Sequence, residues 1–371
     1  MGNEKQIIES ILSGAKVGTS GKHVHDLRVH NEQFYSRVLH GGSLALGESY
    51  MDGWWDCDHL DQFFHRILAA GIGNRFAHTW NVLPTLLKNF ILNAGRQSRA
   101  FEIGRRHYDI GNDLYRAMLD RRLTYTCGYW RNTDNLDDAQ EAKLDLVCRK
   151  IGLAHGESVL DIGSGWGSFI GYAAEKYGAT AVGLTVSKEQ SEFANTRYQH
   201  LPISTELRDY RSAVGKFNHV VSLGMFEHVG RKNYRTFMEV AHRALGENGL
   251  FLLHTIGSEN AIRGMDPWIE KYIFPNSMIP SKEQIRSASE GLFTAEDWHG
   301  FDDDYDATLM AWHKNFESNW GHLKTNYDER FHRMWRYYLL SCAGSFRAGK
   351  NQLWQIVFSK KGSARKYTPA R

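Results

Sequence analysis

Four cysteines are spread through the 371-residue chain, at Cys57, Cys127, Cys148 and Cys342. None stands at the short paired spacing of a zinc site, and they form no disulfide framework. That usage suits a reducing compartment. Long apolar runs are missing as well, since nothing approaches the roughly 18 residues that a membrane span requires. The N-terminal stretch Met1 to Ser10 is charged and has no signal-peptide core. Gly2 follows Met1, but Gln6 stands where a myristoylation signal wants Ser or Thr. A strong charge of one sign is absent too: the net charge of +3 argues for no nucleic-acid partner, while permitting a local basic face. The expectation is a cytoplasmic protein able to touch a membrane peripherally. What is present is an ordinary globular composition, 42% hydrophobic and 23% charged, over a length that suits two domains or one with an extension. Aromatic residues reach 13%, with 11 Trp, which suits interfaces, greasy substrates and cationic ligands.

One stretch organises the rest: Val159-Leu160-Asp161-Ile162-Gly163-Ser164-Gly165-Trp166-Gly167-Ser168. A short apolar run carries an acid, glycines alternate, and a helical pattern begins. This is the grammar of a first strand, a tight turn and a first helix in an α/β sheet. A dinucleotide turn places its third glycine three residues after the second, whereas Gly165 and Gly167 are two apart. The spacing resembles the S-adenosylmethionine turn of Rossmann-like methyltransferases. Strands are expected at Ser158 to Asp161, Thr180 to Leu184, Ile203 to Leu207, Phe217 to Ser222, Leu250 to Thr255, Phe293 to Trp298 and Leu353 to Ser359. Helices are expected between them, with Ser187 as an N-cap and Ser281 with Gln284 as a capping box. Such alternation predicts a parallel sheet with helices on both faces. Pro267, Pro275 and Pro280 mark residues 257–280 as a loop or lid. Helices follow at Ala307 to Trp320 and from Glu329 to about Ser345, and the basic tail, Lys360 to Arg371, is expected to fray.

Residues 1–95 read as a smaller, mostly helical domain, with 96–371 as the catalytic domain and 96–130 as its linker and active-site cap. In the first part, Phe34, Val38 and Leu39 recur at helical spacing until Gly41-Gly42 breaks the pattern. Leu60 to Leu68 reads as an amphipathic helix. Arg75 to Leu92 has a wide apolar face, followed by Arg96, Arg99, Arg105 and Arg106. It suits either a membrane surface or a buried packing helix.

In an open α/β sheet, ligands bind beyond the carboxyl ends of the strands. The segments Asp161 to Gly167, Thr185 to Ser187, Asp209-Tyr210, Gly224 to His228 and His254 to Gly257 should therefore converge. The second strand ends in Leu184-Thr185-Val186-Ser187, with no acid for a ribose, which counts against a nicotinamide cofactor. Thr185 and Gln190 must then supply the hydrogen bonds. Glu227, His228 and His254 follow apolar strands, a placement suited to function. Taken alone, Cys127 and Cys342 suit packing, and the acidic run around Tyr305 suits a solvated helix cap.

Several segments together carry a specific resemblance: Gly42-Ser43-Leu44 to Trp54-Trp55, His107-Tyr108-Asp109-Ile110-Gly111-Asn112, Tyr125-Thr126-Cys127-Gly128-Tyr129-Trp130, Gly224 to Gly230, His254 to Gly257, Pro267 to Pro275, and Cys342-Ala343-Gly344. Over nearly its whole length the chain resembles the bacterial cyclopropane fatty acid synthases, with related mycolic acid cyclopropane synthases sharing the catalytic part. The resemblance implies a class I S-adenosylmethionine methyltransferase that methylates a cis double bond in phospholipid acyl chains. The resulting carbocation closes to a cyclopropane after a bound bicarbonate removes a proton. It further implies a bicarbonate pocket of Cys127, Glu227, His254, Ile256 and Tyr305. Cofactor contacts are implied at Tyr125, Thr126, Gly163, Gly165, Thr185 and Gln190, and Asp161, Gly167, Asp209 and Tyr210 join them from the strand-end reading. Ser164 and Thr126 stand where relatives often carry cysteine and serine. Cys342 matches a cysteine once proposed as a nucleophile, although no acyl-transfer partner is apparent and a packing role is favoured. The implied partners are a bilayer with unsaturated acyl chains, at the inner membrane, and a second copy of the chain; no metal is implied. The alternative is methyl transfer to another unsaturated lipid or to a small molecule.

Overall fold

The computed structural model describes residues 2–72, 111–262 and 264–371. The expected helix Arg75 to Leu92, the arginines that follow it and most of the His107 to Asn112 motif lie outside them. In chain order the first elements are α1 (Gly2–Ser13), β1 (Arg28–Val29), α2 (Gln33–Met51), β2 (Trp55–Asp56), α3 (Leu60–Ala69), α4 (Asn112–Met118) and α5 (Leu136–Ile151). Next come β3 (Ser158–Ile162), α6 (Ser168–Tyr177), β4 (Thr180–Thr185), α7 (Lys188–Arg197), β5 (Ile203–Leu207), β6 (His219–Leu223), α8 (Tyr234–Ala244) and β7 (Leu250–Gly257). The last are α9 (Pro267–Tyr272), α10 (Lys282–Ser289), β8 (Phe293–Gly300), α11 (Asp302–Leu323), α12 (Glu329–Arg347) and β9 (Gln352–Lys360). The described residues form two compact units that interleave along the chain: 2–72, 264–275 and 305–351 in one, 111–262, 276–304 and 352–371 in the other.

The second unit is built on a seven-stranded sheet in the order β5-β4-β3-β6-β7-β9-β8. The five strands from β5 to β7 are parallel. The sheet is not parallel throughout, as the alternation predicted, because β9 runs antiparallel to both β7 and β8. Alternate side chains of one strand go to opposite faces. Leu160, Ile162, Phe251 and Leu253 enter a core with α8 and α10, while Val159, Leu250 and Leu252 enter another with α5 and α6. Both faces are thus buried, which accounts for near-continuous apolar strands.

Local signals set the helix starts. Asn135 accepts from the Asp137 and Asp138 N–H groups to open α5. Ser187 caps α7 through the Gln190 N–H, and Ser281 with Gln284 completes a capping box on α10. The tail does not fray. Arg371 forks onto both Asp297 oxygens at 2.7 Å, Arg365 donates to the carbonyls of Asn248 and Ile151, and Tyr367 packs on the core.

The first unit has an aromatic core. Trp55 and Phe63 are fully buried, and rings of Tyr50, Phe64 and Trp268 meet Tyr337 at 5.6, 5.1 and 4.4 Å between centroids. α2 runs past the expected break at Gly41-Gly42 and kinks there instead, with Gly42 at φ 66°. Residues 257–280 are more than a loop: Pro267 opens α9, which buries Trp268 on Gly47, where a Cβ would stand 2.4 Å from the ring. The acidic run is more than a solvated cap, because Asp306 shares Arg347 with Asp61. Gly344 explains its own motif, since a Cβ there would stand 2.6 Å from the Asp61 carbonyl oxygen of α3.

Candidate active site

Strand order reverses between β3 and β6, so the crevice of the sheet unit opens over their carboxyl ends. The glycine turn forms its floor. Gly163 and Ser164 N–H both donate to the Leu184 carbonyl, at 3.0 and 2.9 Å, clamping the turn to β4. Gly163, Gly165 and Gly167 all have positive φ, where only glycine is free of strain. A Cβ on Gly163 would stand 2.6 Å from the Cβ of Met225, whereas among the described residues Gly165 has nothing within 4 Å of such an atom. Gly165 is therefore the position where a ligand can meet bare backbone.

Along the strand ends, Thr185 donates to the Gln190 amide oxygen at 2.8 Å and accepts from the Ser187 N–H. This fixes Gln190, whose amide nitrogen is buried with no partner among the described residues. Asp209 accepts from the Arg211 N–H and pairs with its guanidinium at 2.8 Å. Tyr210 packs on Phe237 and lies under the Arg211 guanidinium, with its hydroxyl buried. Asp161 is buried behind the turn, and burial pushes its carboxyl up to about 7 against the opposing charge of Lys143. One of its oxygens has no partner among the described residues. Bare backbone at Gly165 flanked by orphaned buried donors and acceptors fits a polar nucleoside cofactor with no phosphate.

The segment holding Tyr125, Thr126 and Cys127 reaches the end of β6. The Thr126 methyl lies 2.7 Å from where a Gly224 Cβ would be. Its hydroxyl accepts from Lys143 Nζ at 2.7 Å and its carbonyl from Gln140 at 2.7 Å. Tyr125 meets Tyr115 edge-on. Cys127 is fully buried, its Sγ–H directed to the Gly128 carbonyl.

Beyond β6 and β7 sit the paired acid and imidazole. Leu223 is in register with His254, which brings the two strand ends side by side. Glu227, in a short 3-10 turn over 226–228, accepts from the Ile256 N–H at 2.6 Å through Oε1, while Oε2 is buried with no hydrogen-bond partner within normal geometry among the described residues. Burial pushes Glu227 up to about 7, opposed mainly by that backbone hydrogen bond. His254 Nδ1 meets the Gln355 amide at 3.3 Å, and Nε2 has no partner among the described residues. Burial, then the charges of Lys143 and Lys150, hold His254 well below the ordinary histidine range. His254 therefore does not supply a compensating positive charge to Glu227; each approaches neutrality by losing water. Burial also holds His228 down, to about 4. Ile256 presents no free N–H, and its carbonyl accepts from Thr255.

Two expected site residues belong to the other unit. Tyr305, on α11, packs against Phe346 at 4.5 Å. Cys342, on α12, has a thiol pushed up to about 12 by desolvation, which disfavours a nucleophilic thiolate. Phe226 is a core residue, fully buried and stacked on Tyr234, so its ring is not available to a bound cation. Lys143 and Gln355 were not legible as site residues. Lys143 lies inside the apolar stripe of α5, so a charge at a core position was the available signal. Gln355 becomes a neighbour of His254 only through the antiparallel register of β9.

Among the described residues no acid, histidine and cysteine cluster could hold a metal ion, and no helix is long and apolar enough to cross a membrane. Residues 95–356 match the family model described as mycolic acid cyclopropane synthetase. The chain is 48% identical over 358 residues to the cyclopropane-fatty-acyl-phospholipid synthase of Escherichia coli strain K12, covering 96% of this chain and 94% of that one. It is 35% identical over 276 residues to cyclopropane mycolic acid synthase 1 of Mycobacterium tuberculosis, covering 68% of this chain and 95% of the relative. The solved mycolic acid cyclopropane synthase CmaA1, complexed with SAH and CTAB, superposes with a TM-score of 0.65 at 31% identity, over 70% of this chain and 97% of that one.

Proposed function

This chain belongs to the mycolic acid cyclopropane synthetase family, and on that premise we propose that it converts unsaturated acyl chains of membrane phospholipids to cyclopropane acyl chains. S-adenosylmethionine, when bound, supplies an electrophilic methyl for the cis double bond, and bound bicarbonate supplies the base that takes the proton released on ring closure. Gly163, Gly165 and Gly167, with Thr185 and Gln190, hold the cofactor against the sheet, and Asp161, Asp209 and Tyr210 line the same edge. Tyr125 and Thr126 also contact the cofactor. Cys127, Glu227, His254 and Ile256 form the pocket for the anion; the family resemblance assigns Tyr305, of the other unit, to the same task.

One observation carries the reading: the glycine turn after β3 and the end of β4 share a sheet edge with the ends of β6 and β7, which carry a buried acid and a buried imidazole. Glu227, His254 and Cys127 are 6%, 1% and 0% exposed. An alkene is a weak nucleophile, so its partner must be held at near-attack distance. Water must also be kept out, or a cation on the acyl chain would end as an alcohol. Burial keeps His254 neutral and shifts Glu227 toward its protonated form, which eases acceptance of an anion that an ionised Glu227 would repel.

Membrane docking belongs to residues 1–95 in this reading, and the assembly is a homodimer. Purified protein incubated with labelled S-adenosylmethionine and vesicles of unsaturated phospholipid should transfer label to lipid. Mass spectrometry should find one methylene gained per acyl chain and the alkene lost. Label confined to a soluble acceptor, or a methylated chain that keeps its double bond, would overturn the proposal.

A further inference from the structure

Lys143 is fully buried, yet among the described residues its ammonium has a single hydrogen-bond partner, the Thr126 hydroxyl at 2.7 Å. A buried cation is costly and persists where surrounding groups require it. Asp120, Cys127 and Asp161 face it electrostatically, but none of them shares a hydrogen bond with it. Its one directed interaction is therefore with a residue of the cofactor cradle.

That interaction fixes how Thr126 is used. The methyl group points to Gly224. The oxygen accepts from an ammonium. What remains is the hydroxyl proton, which needs an acceptor. The sheet order tells which part of a ligand can supply it. In this fold class the end of β4 serves a ribose, as Thr185 and Gln190 do in the reading above. Next to β4 on one side is β5, with Asp209 and Tyr210; on the other side come β3 and then β6, with Gly224 and Thr126. Thr126 thus lies on the opposite side of the ribose site from Tyr210, toward the amino-acid end of the cofactor. The acceptor carried there is a carboxylate.

We propose that Lys143 is a positioning residue that turns and polarises the Thr126 hydroxyl into a donor for the carboxylate of S-adenosylmethionine. The two residues form one arm, in which the lysine reads the ligand through the threonine. The inference rests on the cofactor reading above. It extends that reading by assigning the carboxylate to a specific pair and by including a residue one layer behind the cradle.

The test is binding of S-adenosylhomocysteine and of methylthioadenosine, which keeps the nucleoside and thioether but lacks the amino acid, measured by calorimetry on the full chain. K143M and T126V should each weaken S-adenosylhomocysteine about ten- to hundredfold, the range for losing a hydrogen bond to a charged group. Methylthioadenosine should change less than about threefold, the double variant should be no worse than either single one, and T126S should restore the wild-type value. If K143M fails to fold, T126V and T126S carry the same comparison. Equal weakening of both ligands, no weakening of either, or additive losses would overturn the arm. Failure of the wild-type chain to bind S-adenosylhomocysteine would instead remove the cofactor reading beneath it.

Discussion

A carboxyl group that loses water and gains no cation holds its proton longer, and Glu227 is such a group. Its shift to about 7 comes from burial, and the opposing influences are hydrogen bonds rather than charges. The sign of the consequence follows. A carboxyl whose value rises on folding contributes stability that is present below its unfolded value and is lost as pH rises through the folded one. Glu227 should therefore cost the ligand-free protein stability between about 4.5 and about 7. Asp161 adds a cost of the same sign over a similar window. Glu227→Gln removes only its own share, so its melting temperature should gain on the wild type between pH 5 and pH 8. A gap that is the same at both pH values would show that the carboxyl ionises freely. Glu227→Ala should abolish turnover while the cofactor dissociation constant stays within about tenfold, since the residue acts at the reacting end alone. Unaltered turnover would reject its role.

The glycine turn shows how one element divides its positions between folding and binding. Gly163 faces Met225, and among the described residues nothing lies within 4 Å of a Cβ at Gly165. An alanine at either site pays roughly 1–2 kcal/mol of left-handed strain. Gly163→Ala adds a collision with a packed Cβ, so it should lower stability the more. Gly165→Ala should melt near the wild type yet bind S-adenosylhomocysteine at least tenfold more weakly. Thermal melts and titrations of both variants check this, and equal affinity in Gly165→Ala would mean that the ligand does not approach there. This element was legible because its signals are local: a strand, three glycines and a helix within ten residues. The caps at Ser187 and Ser281 were legible for the same reason. Pairings between distant residues were not. β9 enters the sheet between β7 and β8, and Gln355 meets His254 across 101 positions of chain. No periodicity announces such a neighbour. Lys143 was missed for a different reason, because a lysine in a helical stripe reads as a solvated face until its packing is known. The tail was misread because arginines at a chain end suggest fraying, whereas Asp297 and two carbonyl groups hold them.

At the scale of the molecule, the interleaving of the two units decides how membrane docking by residues 1–95 can be tested. Removing that segment would be the obvious experiment, but its described residues are not separable from the rest of their unit. Tyr50, Trp55, Phe63 and Phe64 share a core with Trp268 and Tyr337. Each large side chain contributes about 1.5–3 kcal/mol by burial, and a folded domain keeps only about 5–15 kcal/mol in total. A truncated chain would lose its aromatic core, and loss of vesicle binding would then report unfolding. Charge substitution avoids the difficulty. Lys88 interrupts the apolar pattern of Arg75 to Leu92 inside that segment, and Arg96, Arg99, Arg105 and Arg106 follow it in the adjoining linker, so together they probe the basic stretch at the segment's end. A basic residue near an anionic surface is worth about 1 kcal/mol. Changing all five to glutamine should therefore reduce flotation with anionic vesicles by orders of magnitude at low salt, with the melting temperature unchanged. The gap from the wild type should narrow as salt rises, because screening removes the same attraction. Undiminished flotation of the substituted protein, still folded, would place the docking surface elsewhere.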